Sequence, residues 1–301
     1  MITTHNRLVE LQRTAGKIAA LDPQPDEFLI TADGCNDGTE SWVRNNLPNA
    51  KLFVNNPGQG SIPSRDNMIR ESGCEFVLSL DDDNYPVEAN AIQTLRDWFE
   101  DHPNVGVATF PLITEEYPDS LGKTEFPAEG YSSTFPNCAA CFSRKIYNQT
   151  AGFPGAFFHI YEEPDFGLQC ISKGFAVYHT NVLTIRHHWT SLGRNEIKVH
   201  HGQARNELWS TLMRAPIQML PLVVAYRIFS QFRYAFSRGV DWVVREPIWW
   251  WRALLGVGHC FRNRNPVSWK RYKAWLSLLR SPSTDETVWR QLLETGKRES
   301  R

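Results

Sequence analysis

The stretch FVLSLDDDNYP, Phe76 to Pro86, carries an apolar run straight into three consecutive aspartates. Two unit charges about 4 Å apart repel by roughly 4 kcal/mol at an effective dielectric near 20, so adjacent carboxylates need compensation from elsewhere in the chain. Beyond Pro86 the residues Val87, Ala91, Leu95, Trp98 and Phe99 recur at helical spacing, which predicts a helix directly after the aspartates. The aspartates then fall at a strand's carboxyl end. In open α/β sheets that is where ligands bind.

On either side, the strand candidates Glu27–Ala32, Lys51–Val54, Glu75–Leu80 and Val105–Leu112 alternate with helical stretches, the pattern of parallel strands joined by crossover helices. The polar clusters TTHNR (Thr3 to Arg7) and ADGCNDGTE (Ala32 to Glu40) close the first and second strands, so three strand tips line one rim. Residues 113–160 are irregular and rich in Pro, Gly and Ser, which predicts a substrate-covering loop region. YEEPDFGLQCISKG, Tyr161 to Gly174, reads as a helix with an acidic first turn and a glycine stop. Short strands near Phe175–His179 and Val182–Arg186 then lead into RHHW. Only Met1 and Ile2 precede the first strand's threonine, which predicts a shortened central strand or a start downstream of the natural one.

With 301 residues and 42% hydrophobic content, the chain can bury the core of a large α/β domain with an extension. The net charge of −1 hides an asymmetry: residues 1–199 carry 15 Lys+Arg against 26 Asp+Glu, and residues 200–301 carry 17 against 7. Six scattered cysteines are too sparse for a disulfide framework and predict a reducing compartment, and the CxxC of Cys138 and Cys141 lacks the second pair of a zinc site. No N-terminal signal is visible, and the longest apolar run, Ala215 to Tyr226, is short and holds two prolines. The expectation is a cytoplasmic chain, peripheral on the inner face of a membrane.

Simple alternatives for the aspartates fail. In DDDNYP, Tyr85 and Pro86 stand where a calcium loop needs a ligand and a glycine, and GQGSIP lacks the final glycine of a dinucleotide fingerprint. P-loop, HExxH and GxSxG stretches are absent from the sequence. Two readings survive: a solvated acidic strand end, or a divalent cation held by Asp81 or Asp83, or both, and completed by a diphosphate. Mg²⁺ and Mn²⁺ favour that mixture of carboxylate and phosphate oxygens.

Taken together and in this order, TTHNR, ADGCNDGT, NNPGQGSIPSRDN, LSLDDDN, YEEPDFGLQ and RHHW resemble the family 2 glycosyltransferases, inverting enzymes of the GT-A fold, over about residues 1–200. The resemblance implies an α/β fold with a mostly parallel, Rossmann-like sheet flanked by helices, a nucleoside-diphosphate sugar as donor, and Mg²⁺ or Mn²⁺ as cofactor. It places Asp33 against the nucleobase, with Asp37 in the following turn and Thr3, Asn6 and Arg7 bordering the nucleotide. Arg65 and Asn67 fall on a pair that is usually adjacent, here separated by Asp66. The Asp-x-Asp element falls on Asp81, Asp82 and Asp83, with Asp81 facing the sugar and Asp83 the metal. His187, with His188 as a substitute, would complete the metal site.

The family's acidic helix start falls on Glu162, Glu163 and Asp165, with Glu163 where an aspartate is usual. That departure keeps the carboxylate and lengthens its reach by one methylene. Acidic residues also suit a helix's first turn, so capping and catalysis are both open roles. Glycosyl transfer needs a base for the acceptor hydroxyl and charge stabilisation for the leaving diphosphate. Glu163, raised in pKa by Glu162 and Asp165, suits the base. The expected enzyme is a metal-dependent inverting transferase acting on a carbohydrate or lipid-linked acceptor, in cell-surface polysaccharide or glycolipid synthesis. Its rivals are an inactive membrane-bound scaffold of the same fold and a sugar nucleotidyltransferase, whose glycine-rich activating loop TTHNRLVELQ does not contain.

The predicted domains are residues 1–195, catalytic, and 196–301, a helical extension. Eight of the chain's 11 tryptophans lie after residue 200. On a helical wheel Arg227, Arg238, Arg245 and Arg252 fall within roughly 40° of one another, with Arg233 outside the cluster, which predicts arginines facing anionic lipid. Pro247 must interrupt the helix, so the stripe is not one rod. A packed helical cover is the other reading. A nucleic-acid partner is not expected, because no reading module is visible.

Overall fold

The computed structural model describes residues 1–114, 129–188 and 195–298. The apolar run before the aspartates is β4 (Phe76–Asp81), beside the short strand β1 (Ile2–Thr4). On the far side of β1 follow β2 (Leu29–Asp33) and β3 (Lys51–Asn55). Next to β4 come β9 (Ala140–Ser143), β6 (Val105–Thr109), β10 (Ala176–His179) and β8 (Gly130–Ser132), giving the order β3-β2-β1-β4-β9-β6-β10-β8. Only β9 and β8 run antiparallel to the rest. The helices α1 (Leu8–Ile18), α2 (Thr39–Asn46), α3 (Ser61–Glu71) and α4 (Ala91–Asp101) flank the parallel strands. All residues of β1, β2 and β6 are buried, as strands covered on both faces must be.

The helix expected directly after the aspartates begins only at Ala91. Asn84–Pro86 instead forms β5, which pairs antiparallel with β11 (Ile185–His187), and β11 pairs with β7 (Leu112–Ile113) in a second, three-stranded sheet. Val87, read as part of the helical stripe, donates its N–H to the Thr184 carbonyl at 2.9 Å and leaves its side chain exposed. Tertiary pairing thus overrides local periodicity. The pairing sets His187 opposite Asn84, one residue from Asp83. The single strand expected over Val105–Leu112 is likewise split, because Pro111 has no N–H for the ladder and the chain changes sheets there.

A central strand of three residues is indeed short. The buried Met1 ammonium donates to the Leu78 carbonyl at 2.7 Å, and burial lowers its pKa to about 5. Beyond it a cavity of about 800 Å³ opens between Phe28 of the β2 edge and Phe76 of β4. It lies at the amino ends of the parallel strands, opposite the aspartates, and takes no part in their chemistry.

After the small helix α5 (Arg144–Tyr147), the expected acidic helix is α6 (Glu162–Lys173), ended by Gly174 at φ 89°, a conformation that glycine adopts without strain. The C-terminal part is helical: α7 (Glu196–Arg214), α8 (Leu220–Arg238), α9 (Val240–Val243), α10 (Glu246–Leu255), α11 (Val257–Arg262), α12 (Trp269–Arg280) and α13 (Glu286–Thr295). α7 packs against α8, α10 and α11, and α12 packs on α6. One buried apolar cluster runs from Ile2 through Trp209 and Trp275 to Leu292, so the segment after residue 195 shares its core with the sheet. Residues 115–128 of the expected covering loop, and Trp189 of RHHW, lie outside the described residues.

Candidate active site

The charge problem posed by the three aspartates is solved by two arginines and one shifted proton. Arg7, just after β1, contacts Asp82 Oδ1 at 3.2 Å and Asp83 Oδ2 at 2.8 Å. Arg65 of α3 pairs with Asp81 on one side and Glu162 Oε1, at 3.5 Å, on the other. Burial pushes Asp82 up to about 7 against the pull of Arg7, so this carboxyl is partly protonated at neutral pH. Asp82 also fixes α1 to the rim, its carbonyl accepting the Thr14 hydroxyl at 2.7 Å. Thr3 stands beside Asp81 across the β1–β4 ladder.

Asp83 and His187 form the pair best suited to a cation. Asp83 Oδ1 lies 3.5 Å from His187 Nε2, and this buried oxygen has no hydrogen-bond partner. A carboxylate oxygen and an imidazole nitrogen facing each other at that separation fit two ligands of one ion. Among the described residues no group of three or more His, Cys, Asp or Glu side chains could hold a metal alone. That leaves coordination positions for donor oxygens, as Mg²⁺ and Mn²⁺ sites commonly do. His188 is engaged elsewhere, its Nε2 3.1 Å from the Tyr85 hydroxyl. Asp81, expected as a further ligand, is held by Arg65 and stays partly open toward the cleft.

Across the cleft, Glu162 is buried, with Oε1 accepting from Asn137 Nδ2 at 3.0 Å and Oε2 unpartnered. Glu163 is half-buried, and burial together with the Glu162 carboxylate raises its pKa well above the ordinary range. A carboxylate of that kind is a stronger proton acceptor than a solvated one.

Five expected site residues are tied into the chain or lie off the rim. Asp165 is fully buried and accepts from Ser210 at 2.7 Å, Gln169 at 2.8 Å, and Arg214 Nε and Nη2 at 3.1 and 3.0 Å, which leaves it no catalytic freedom. Asn67 sits on the exposed side of α3, two positions and therefore about 200° round from Arg65. Asp33 is tied into the chain: Oδ1 accepts from Asn55 Nδ2 and the Gln59 amide and Oδ2 from the Gly60 amide, all at 2.8 Å. It shapes the loop ahead of α3. Asp37 has a comparable role, its carboxylate accepting from Thr39 and from the Leu8 amide at the start of α1. Burial is the largest single influence and pushes its pKa up, but these hydrogen bonds together outweigh burial and hold it below the usual value. Asn6 joins the same corner through the Asn36 amide at 2.8 Å.

The Asp165–Arg214 pair ties α6 to α7. Removing one partner of a buried ion pair costs about 3–5 kcal/mol, so Arg214→Ala is expected to lower the urea midpoint accordingly. A change under about 1 kcal/mol would show that the pair does not hold α6.

Sequence patterns missed the device that presents the two glutamates. Phe158, Ile160 and Tyr161 have φ of 67°, 73° and 78°, each costing on the order of 1–3 kcal/mol for a residue with a side chain. Asn206 of α7 holds this strained loop, its Nδ2 reaching the carbonyls of Phe157, His159 and Ile160 at 3.2, 2.9 and 2.8 Å. Gly60 lets the loop approach, since a Cβ there would lie 2.2 Å from the Phe158 carbonyl oxygen. Asn206→Ala is expected to lower kcat about ten-fold, worth about 1.4 kcal/mol, with little change in donor KM. Steady-state kinetics check it; an unaltered kcat would separate the loop from catalysis.

The mostly parallel sheet flanked by helices, with its small second sheet, is the architecture of the GT-A fold. The chain belongs to glycosyl transferase family 2, whose family model matches residues 1–182. No curated protein matches the chain. Among solved structures it is similar to S. aureus TarS 1-349, with 15% identity, 97% of this chain and 89% of that one covered and a TM-score of 0.57. It is also similar to the mannosyltransferase PcManGT from Pyrobaculum calidifontis, solved with GDP-Man and Mn2+, at 16% identity, 97% and 84% coverage and a TM-score of 0.55. GalNAc-T7, solved with UDP, GalNAc and Mn2+, matches at 12% identity and a TM-score of 0.56, over 72% of this chain and 47% of that one. The chain thus spans about half the length of GalNAc-T7. At these identities the likeness is one of fold.

Proposed function

We propose that this family 2 enzyme transfers a sugar, with inversion, from a nucleoside-diphosphate donor to an acceptor hydroxyl in a metal-dependent reaction. The observation that carries the reading is the Arg65 bridge, which joins the Asp81 side of the rim to the Glu162 and Glu163 helix start. Donor-binding and proton-accepting carboxylates then face one cleft.

Asp83 and His187 would hold the Mg²⁺ or Mn²⁺ ion, which when bound supplies Lewis-acid stabilisation of the leaving diphosphate. Arg7 neutralises Asp82 and Asp83 in the free protein and is placed to give part of its fork to a phosphate oxygen. Asp81, steadied by Arg65, faces the sugar. Glu163 accepts the proton of the acceptor hydroxyl as that oxygen attacks the anomeric carbon, and a single displacement inverts the configuration. The acceptor is a carbohydrate or a lipid-linked hydroxyl of cell-surface polysaccharide or glycolipid synthesis. The arginine-rich and aromatic C-terminal helices favour the lipid-linked one. Six free thiols support a reducing compartment, and with it the cytoplasmic face of the membrane.

Incubating the protein with a panel of nucleotide sugars and Mn²⁺ and measuring nucleoside diphosphate release tests the reading. Release with at least one donor is expected, and transfer product should carry the opposite anomeric configuration by NMR. Retained configuration, or no release across the panel, would overturn it.

A further inference from the structure

Fifteen of the 21 exposed large apolar side chains among the described residues lie between Ile217 and Phe261. On α8 they keep helical spacing: Leu222, Tyr226, Phe229, Phe232 and Phe236 line the solvent side, with Phe229 63% and Phe236 71% exposed. A helix on a water-soluble fold turns its apolar stripe toward the core. α8 turns one outward. Exposed apolar side chains recur on α10, where Trp251 is 65% and Leu255 70% exposed, and Ile228 of α8 packs with Trp249 and Ala253 of α10; clustered exposure of this kind marks interaction surfaces.

The cationic stripe expected from the wheel does not form. Gly239 ends α8, Arg227 turns inward to Glu207 at 2.7 Å, and Arg238 pairs with Glu196. A different set of exposed arginines lies on the same helices, Arg233 on α8, Arg245 at the start of α10 and Arg252 within it. Between Glu207 and Asp285 the chain holds two acids, Asp241 and Glu246, and Glu246 is buried against His200 and Trp249, each at 2.8 Å.

We propose that this face, from α8 to α10, docks the protein onto an anionic lipid bilayer, with the aromatic side chains in the interfacial layer and the arginines at the headgroups. Charge decides between a bilayer and a second copy of the chain. A two-fold interface sets a patch against itself, which here opposes arginines to arginines with little acid between them. Anionic headgroups complement the same set. No helix among the described residues is long and apolar enough to cross a membrane, so the helices lie in the interface. Docking of this kind does not depend on the transferase reading.

Co-sedimentation of the full chain with vesicles of phosphatidylcholine alone, or mixed with phosphatidylglycerol, tests the proposal. Partitioning at least ~10-fold stronger onto the mixed vesicles, weakened by salt, is expected. Neutralising Arg233, Arg245 and Arg252 together with glutamine should reduce it about 100-fold, at about five-fold for each charge. Phe229→Ser with Phe236→Ser should abolish it, with circular dichroism and nucleoside diphosphate binding unaltered. Three results would overturn the proposal: no partitioning, equal partitioning onto both vesicle types, or a dimer in light scattering that the paired serine substitutions turn into a monomer.

Discussion

Asp83→Ala is expected to abolish Mn²⁺-dependent binding of nucleoside diphosphates and to lower kcat/KM for transfer at least ~1000-fold, about 4 kcal/mol. Asp83 is the rim carboxylate that touches both Arg7 and His187, and its Oδ1 has no other partner. On the proposed site, losing it would remove one of the two side chains that would hold the ion. Arg7 would keep Asp82 and, at 3.9 Å, Glu10, so the rim should stay folded while the ion is lost. Calorimetric titration of nucleoside diphosphates with and without Mn²⁺ checks this. An Mn²⁺-dependent heat that survives the substitution would remove Asp83 from the metal site.

Glu163→Gln is expected to lower kcat by about 1000-fold while leaving donor binding within about two-fold of the natural chain, the split that marks loss of an interaction made in the transition state. Burial first, and the Glu162 carboxylate second, raise the Glu163 pKa in the folded chain. A base works ionised, so kcat should rise with pH through an acidic limb lying above the ordinary glutamate value of about 4.3. The stability sign is opposite. A carboxyl whose folded pKa exceeds its unfolded one stabilises the fold fully below the unfolded value, and that contribution is lost as pH rises through the folded one. The glutamine variant should therefore gain in Tm relative to the natural chain at alkaline pH and lose that advantage in acid. Equal losses of kcat and donor affinity would contradict the assignment.

The sequence made the rim legible because a strand ending in three acids and a helix opening on EEPD are local patterns. The arginines that compensate them were legible as residue types but not as pairs, since Arg7 and Asp83 are 76 residues apart. Strand β9 escaped notice inside a segment read as irregular: four small or apolar residues, Ala140 to Ser143, give no period to read, yet they lie between β4 and β6. Asp165 looked catalytic because its partners, Ser210 and Arg214, come from a helix more than 40 residues on. The arginine stripe failed for a local reason. Wheel arithmetic holds only along one helix, and the break expected at Pro247 comes earlier, at Gly239, with φ of 114°. Asn206 carries no motif at all, and its role emerges only when α7 meets the strained loop before Glu162.

The central claim is that a divalent ion, gripped by Asp83 and His187, meets the donor diphosphate at the tip of β4. Pulsed electron paramagnetic resonance of Mn²⁺ in the presence of nucleoside diphosphate tests it most directly. A ¹⁴N coupling from one directly bound imidazole is expected, together with ³¹P couplings from the diphosphate, and His187→Gln should erase the nitrogen signal alone. Absence of nitrogen coupling in the natural chain, or its persistence after His187 is replaced, would contradict the account.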